Sequence, residues 1–180
     1  MRLIVGLGNG FILQSSRHGV GAILVEDLAT MLSVEWSLYP SLGAYVAMAP
    51  DAVLVWPLSL YNLSGYVVSR CARRFEIEAK NIVVVHDDIE LKAGTVKCQR
   101  GGSHRGNRGV KSCETSMGTT FERLRVGVGP RPAERDWATV ASFVSAPLPP
   151  HDLAAVRKAD RKSTRLNSSH LRRSRMPSSA

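Results

Sequence analysis

The sequence predicts an α/β fold: a single domain with a twisted mixed sheet flanked by helices. Three observations carry that expectation. Ile82-Val83-Val84-Val85 is apolar at consecutive positions, as a central strand buried on both faces requires. Val20, Ile23, Leu24, Leu28, Met31 and Leu32 recur at helical spacing, as do Ser64, Val67, Val68, Cys71, Ala72 and Phe75. Further short β-like runs fall between and after these segments, so strands and helices alternate along the chain.

In chain order, Arg2 to Leu7 reads as a buried strand. It ends in Gly6-Leu7-Gly8-Asn9-Gly10, where glycines permit a tight turn and expose backbone amides. An amphipathic helix follows over roughly Gly19 to Leu32. Gly43 to Ala49 and Ala52 to Trp56 form two strands split by Pro50-Asp51, which predicts a hairpin. A second helix runs from Ser64 to Phe75, with Asn62 at its opening. The central strand Ile82 to Val85 is followed by His86-Asp87-Asp88, which reads as turn chemistry at the strand end. Thr95 to Gln99 is a strand, Gly101 to Gly109 a glycine-rich polar loop, Val110 to Met117 a short helix and Arg123 to Val128 a last strand. No internal repeat is present.

A chain of 180 residues fits one domain, and 44% hydrophobic residues favour a packed core over disorder. The net charge of +9 is unevenly spread: residues 160–180 hold six Arg or Lys against one Asp, which leaves +4 on residues 1–159. That body charge suits a phosphate-bearing partner and equally an ordinary soluble domain. Cys71, Cys98 and Cys113 are odd in number and lack a CxxC pair, which points to reduced thiols rather than disulfides or structural zinc. No apolar stretch nears the ~20 residues of a membrane span. The run Leu3-Ile4-Val5 is too short for a signal peptide. The domain is therefore expected over residues 1–159, with a disordered basic tail at 160–180. The tail string RKSTRLNSSH…SRMPSSA resembles translated sequencing-adapter DNA joined to a shortened reading frame, so no function is attached to it.

Polar clusters stand at predicted strand ends, where open α/β sheets place their sites. They are Asn9 with Arg17-His18, His86-Asp87-Asp88, and the loop from Gly101 to Gly109; Asn62 makes a fourth. A neutral imidazole at His18 can take a proton from water, and Asp87 is the best-placed carboxylate to hold its tautomer. Asn9 and Asn62 can donate to a developing oxyanion or position a water. The glycine-rich loop offers amides to an anion, with Arg100, Arg105 and Arg108 adding charge. Each residue taken singly also fits cap or turn chemistry. Rival motifs fail: Phe11 breaks GxGxxG, and neither a phosphate loop nor a nucleophile elbow occurs. His86, Asp87, Asp88, Glu90 and His104 match no strong metal spacing.

Taken in order, GLGN, RHGVG, YNLSG, VVVHDDIEL, GGSHRGNRGVKS and FERLRVGVGP resemble the blocks of the bacterial-type peptidyl-tRNA hydrolase family. That family usually shows GLGNPG, TRHNVG, MNLSG, HDDLDLP-G, GGHNGLKS and RLRIGIGRP. The resemblance covers about Leu3 to Pro132 and implies hydrolysis of the ester joining a peptide to its tRNA. It implies that His18 is the base and that Asp87 orients it, with Asn9 near the scissile carbonyl and Asn62 at the peptide end or the water. It implies neither metal nor cofactor, a peptidyl-tRNA substrate, no membrane partner, a monomer, and a cytoplasmic location, or mitochondrion or plastid if an upstream segment is missing. Arg125 matches a basic position linked to tRNA phosphate, and Arg100 and Arg105 are the other expected tRNA contacts. Several positions depart from the family. The proline after Asn9 is absent, the loop tyrosine is matched by Leu13 or a neighbour, and Gly19 replaces asparagine after the histidine. The family's active-site asparagine falls on Arg108, with Asn107 one position earlier; a one-residue shift predicts a different direction for Asn107. Both are kept as candidate substrate contacts. A lid helix is expected from near His151, stopping at about Ala159. The alternative function is a non-catalytic hydrolase-like RNA-binding protein, such as a splicing factor.

Overall fold

The computed structural model describes residues 1–9, 15–134 and 136–159. The position of Leu13 and the tail at 160–180 lie outside the described residues.

Among the described residues the strands are β1 (Arg2–Gly6), β2 (Trp36–Tyr39), β3 (Ala44–Met48), β4 (Ala52–Pro57), β5 (Ile82–Lys92), β6 (Val96–Arg100) and β7 (Glu122–Gly129). They form one sheet in the order β2-β3-β4-β1-β5-β7-β6. β4, β1, β5 and β7 run parallel, while β2, β3 and β6 pair antiparallel at the edges, so the sheet is mixed as expected. The helices are α1 (Val20–Met31), α2 (Ser64–Arg74), α3 (Arg108–Met117) and α4 (Trp137–Ser145). Residues 150–159 are also helical, where the lid helix was expected.

Consecutive side chains of a strand point to opposite faces, so the β5 run divides between two cores. Ile82 and Val84 pack with Val67, Val68 and Cys71 of α2 and Val110 and Cys113 of α3. Val85 packs with Val20, Leu24 and Val25 of α1 and with Val156. This is why the run has no polar alternation: both faces of β5 are covered.

Two features differ from the sequence reading. β5 does not end at Val85 but continues to Lys92, so His86, Asp87 and Asp88 lie within the strand and are buried. Pairing with β7 explains it: His86, Asp87 and Asp88 sit opposite Arg125, Val126 and Gly127, and the neighbour sustains the strand through the polar residues. In addition, β2 and α4 have no counterpart in the expected element list. β2 is a four-residue edge strand with no fully buried residue, and α4 buries only Val144, so neither carries a strong apolar period.

The parallel strands share one carboxyl end, and it gathers the motifs. Asn9 follows β1, Tyr61 and Asn62 follow β4, and Asp87 lies two residues past the point where β1 stops opposite Val85. One sheet edge therefore brings together residues far apart in sequence.

Candidate active site

His18 reaches this edge because α1 lies unusually close to β5. A Cβ added at Gly21 would fall 2.3 Å from the Val85 carbonyl oxygen, so only glycine allows the approach. Just before α1, residues Arg17–Gly19 form a 3-10 turn whose Ser16 cap oxygen accepts from the Gly19 amide. The turn sets His18 Nδ1 at 2.9 Å from Asp87 Oδ1, joining the two residues expected to work together. Asp87 is buried, while the imidazole is about one-fifth exposed to the cavity beside it.

Three donors converge on Asp87 Oδ1. Besides His18, the Tyr61 hydroxyl donates at 2.5 Å and Asn107 Nδ2 at 3.3 Å. Asn107 Nδ2 also lies 3.0 Å from the Tyr61 oxygen. Burial alone would raise the Asp87 pKa, but the adjacent His18 and the bonds from His18 and Tyr61 outweigh it and hold the carboxyl below its ordinary value. Burial and the Asp87 charge push the Tyr61 phenol well up, so it stays protonated and remains a donor.

Asn107 faces Asp87 and the cavity. It is the N-cap of α3, its Oδ1 accepts from the Val110 amide at 2.9 Å, and the same side chain turns its Nδ2 onto Asp87. Capping fixes one end of the amide and so aims the other. Arg108, one residue later, points elsewhere: its guanidinium lies 3.8 Å over the Trp137 ring.

Asn9 accepts from the Tyr61 amide through Oδ1 at 2.8 Å, and it lines the same cavity as His18. Asn62 is exposed and, like Asn9, borders a cavity of about 590 Å³. The cavity wall also includes His18, Asn107, Arg105, Arg108 and Arg125.

The basic residues fall into two kinds. Arg105 and Arg108 are exposed on the wall. Arg125 is buried, with Nε 2.8 Å from Asp88 Oδ2 and Nη1 2.8 Å from Gln99 Oε1. Arg100 is over half exposed and lies 3.6 Å from Glu122. His86 is buried with Nδ1 against the Asp87 carbonyl at 2.7 Å, and burial pulls its pKa down, so it is neutral. Among the described residues, no group of three or more His, Cys, Asp or Glu is placed to hold a metal.

The sequence reading passed over two residues. Tyr61 was noted only within its motif, although its ring stacks on His18 with centroids 3.9 Å apart. Arg123 donates to the carbonyls of Gly101 and Ser103 and so staples the glycine-rich loop to β7. The signal for Arg123 was a basic residue next to Leu124 and two positions from Arg125 in a strand that is otherwise apolar after Glu122. For Tyr61 the signal was its place in YNLSG, where the family motif usually opens with methionine.

The sequence pattern of the peptidyl-tRNA hydrolase family matches residues 3–176. The chain belongs to that family. It is 34% identical over 161 residues to the peptidyl-tRNA hydrolase of Mycoplasmoides gallisepticum, an alignment covering 88% of this chain and 85% of that one. With the Thermus thermophilus peptidyl-tRNA hydrolase it shares 37% identity over 160 residues, covering 88% and 82%. The crystal structure of peptidyl-tRNA hydrolase from Acinetobacter baumannii superposes with a TM-score of 0.82 at 26% identity, covering 89% of this chain and 83% of that one. The fold of a peptidyl-tRNA hydrolase is thus reached from both sequence and structure.

Proposed function

We propose that this chain cleaves the ester between a peptide and the 3′ ribose of its tRNA, with His18 as general base. The 2.9 Å contact between His18 and Asp87 at a cavity wall carries the reading. Because Nδ1 faces Asp87, Nε2 is the nitrogen left to take a proton from water. The resulting hydroxide adds to the ester carbonyl carbon, and the Asn9 amide donates to the oxyanion. Collapse of the tetrahedral species breaks the bond to the ribose oxygen, which takes the proton back from the imidazolium. The peptide acid gives its remaining proton to solvent, leaving free peptide carboxylate and tRNA with a 3′ hydroxyl. Asp87 stays ionised and stabilises the charged imidazole throughout.

Arg105 and Arg108 supply positive charge at the cavity for phosphates of the tRNA end, while Asn62 meets the peptide side. Arg125 acts through Asp88 and Gln99 as a brace under the wall rather than as an open phosphate contact. The hydrolase names of the relatives support this reading over the RNA-binding alternative. The test is turnover of a peptidyl-tRNA ester by the wild-type chain and by His18→Ala. Loss of roughly 10²–10⁴-fold in kcat with tRNA binding retained is expected; equal turnover by both proteins would sink the assignment.

A further inference from the structure

Resting on that reading, we propose that Tyr61 is a positioning residue of the dyad: its ring fixes the imidazole plane and its hydroxyl anchors the Asp87 carboxylate. The family motif that YNLSG resembles usually opens with methionine, so both contacts are specific to chains with tyrosine here. The two rings lie 3.9 Å apart at 14°, close to parallel. A flat neighbour at that distance leaves the imidazole free to slide in its plane but not to tilt. The hydroxyl then closes a ring of bonds. Asn107 Nδ2 approaches Tyr61, Tyr61 donates to Asp87 Oδ1, and His18 meets the same oxygen.

Tyr61 is itself held at three points. Its amide donates to Asn9, its own carbonyl accepts from Ser64, and its ring edge fills the space at Gly109. A Cβ at Gly109 would lie 2.5 Å from a ring carbon of Tyr61. One residue therefore couples the Asn9 oxyanion donor, the base and the base's carboxylate.

The hydroxyl has an electrostatic consequence. By donating to Asp87 it takes up part of the negative charge that would otherwise stabilise protonated His18. The titratable groups against the imidazole are Asp87 from β5 and Tyr61 from the turn before α2. His86 lies one residue from Asp87 on the strand's other face, Arg17 is engaged with Phe143, and Arg105 and Arg108 share the cavity wall. The α4 segment Trp137–Ser145 brings no charged residue.

Tyr61→Phe keeps the stack and removes the donor. It should raise the His18 titration midpoint, followed by NMR without substrate, by about one unit, with a parallel rise of the acid limb of kcat/KM. At neutral pH kcat should fall about tenfold while KM stays within about twofold. Tyr61→Met removes ring and hydroxyl alike and should show the same upward shift with a further loss of kcat. A changed Tm with an unmoved His18 titration in both variants would overturn the proposal and reduce Tyr61 to packing. Because the titration needs no turnover, an inactive wild-type chain would defeat the hydrolase reading while this measurement still decides the role of Tyr61.

Discussion

Asp87 and Asp88 are neighbours on one strand with opposite surroundings. Asp87 meets an imidazole, a phenol and an amide, none of which carries a permanent charge. Asp88 meets the Arg125 guanidinium through two nitrogens, at 2.8 and 2.7 Å to the same oxygen. Strand alternation sends the first toward His18 and the second toward β7 and β6. A carboxylate among proton-sharing partners can follow charge as it appears and disappears on a base. One clamped by arginine cannot, because guanidinium does not deprotonate in the working range. The same residue type thus serves chemistry on one face and rigidity on the other.

The sharpest way to break this contrast is to neutralise each carboxylate in turn. Asp87→Asn should cut kcat by roughly 10³–10⁴-fold by releasing the imidazole's tautomer and its counter-charge. Its fold should persist, since an amide can still meet Tyr61 and Asn107. Asp88→Asn should do the reverse. It leaves the Arg125 charge buried beside a neutral partner, at a cost of about 3 kcal/mol in stability. Turnover measured well below its Tm should stay within about fivefold of wild type. Denaturant melts and steady-state kinetics on the two variants separate the outcomes. Equal kinetic losses at both positions would erase the distinction.

Acid should act through Asp87 as well. Its folded pKa is depressed, so its contribution to stability is complete above the ordinary carboxylate value of about 4 and is lost as pH falls through the lower folded value. Wild-type Tm should therefore drop more steeply below about pH 4 than that of Asp87→Asn. Parallel Tm–pH curves would remove Asp87 from the acid response.

The same pair of aspartates shows what the sequence could and could not convey. The apolar run Ile82–Val85 announced a central strand, and the strand–helix alternation announced the fold, because burial writes itself into residue type at every position. His18 and Asp87 were legible as partners because ordered motifs put a base and a carboxylate at neighbouring strand ends. The continuation of β5 through His86-Asp87-Asp88 was not legible. It depends on pairing with β7, some forty residues later, which overrides the local turn preference of the acidic residues. The contacts of Asn107 were not legible for a related reason. Its direction follows from capping α3, and a motif offset counts residues without knowing where the helix starts.

The smallest effects belong to the two kinds of arginine. Arg105 and Arg108 are exposed on the cavity wall, so each should act on tRNA through long-range charge and counterion release. Arg105→Ala and Arg108→Ala should each weaken tRNA binding a few-fold and flatten the dependence of log Kd on log salt by about one unit of slope. Arg108→Ala also strips its cation from the Trp137 ring, so its effect should exceed that of Arg105→Ala. Arg125→Ala should leave the salt slope nearly unchanged while lowering Tm, because its charge is already matched by Asp88 and its side chain is buried. Filter binding from 50 to about 200 mM salt resolves slopes of this size. Should Arg125→Ala flatten the slope as much as Arg105→Ala, the guanidinium would be exchanging Asp88 for phosphate when tRNA binds. The brace would then be a latch.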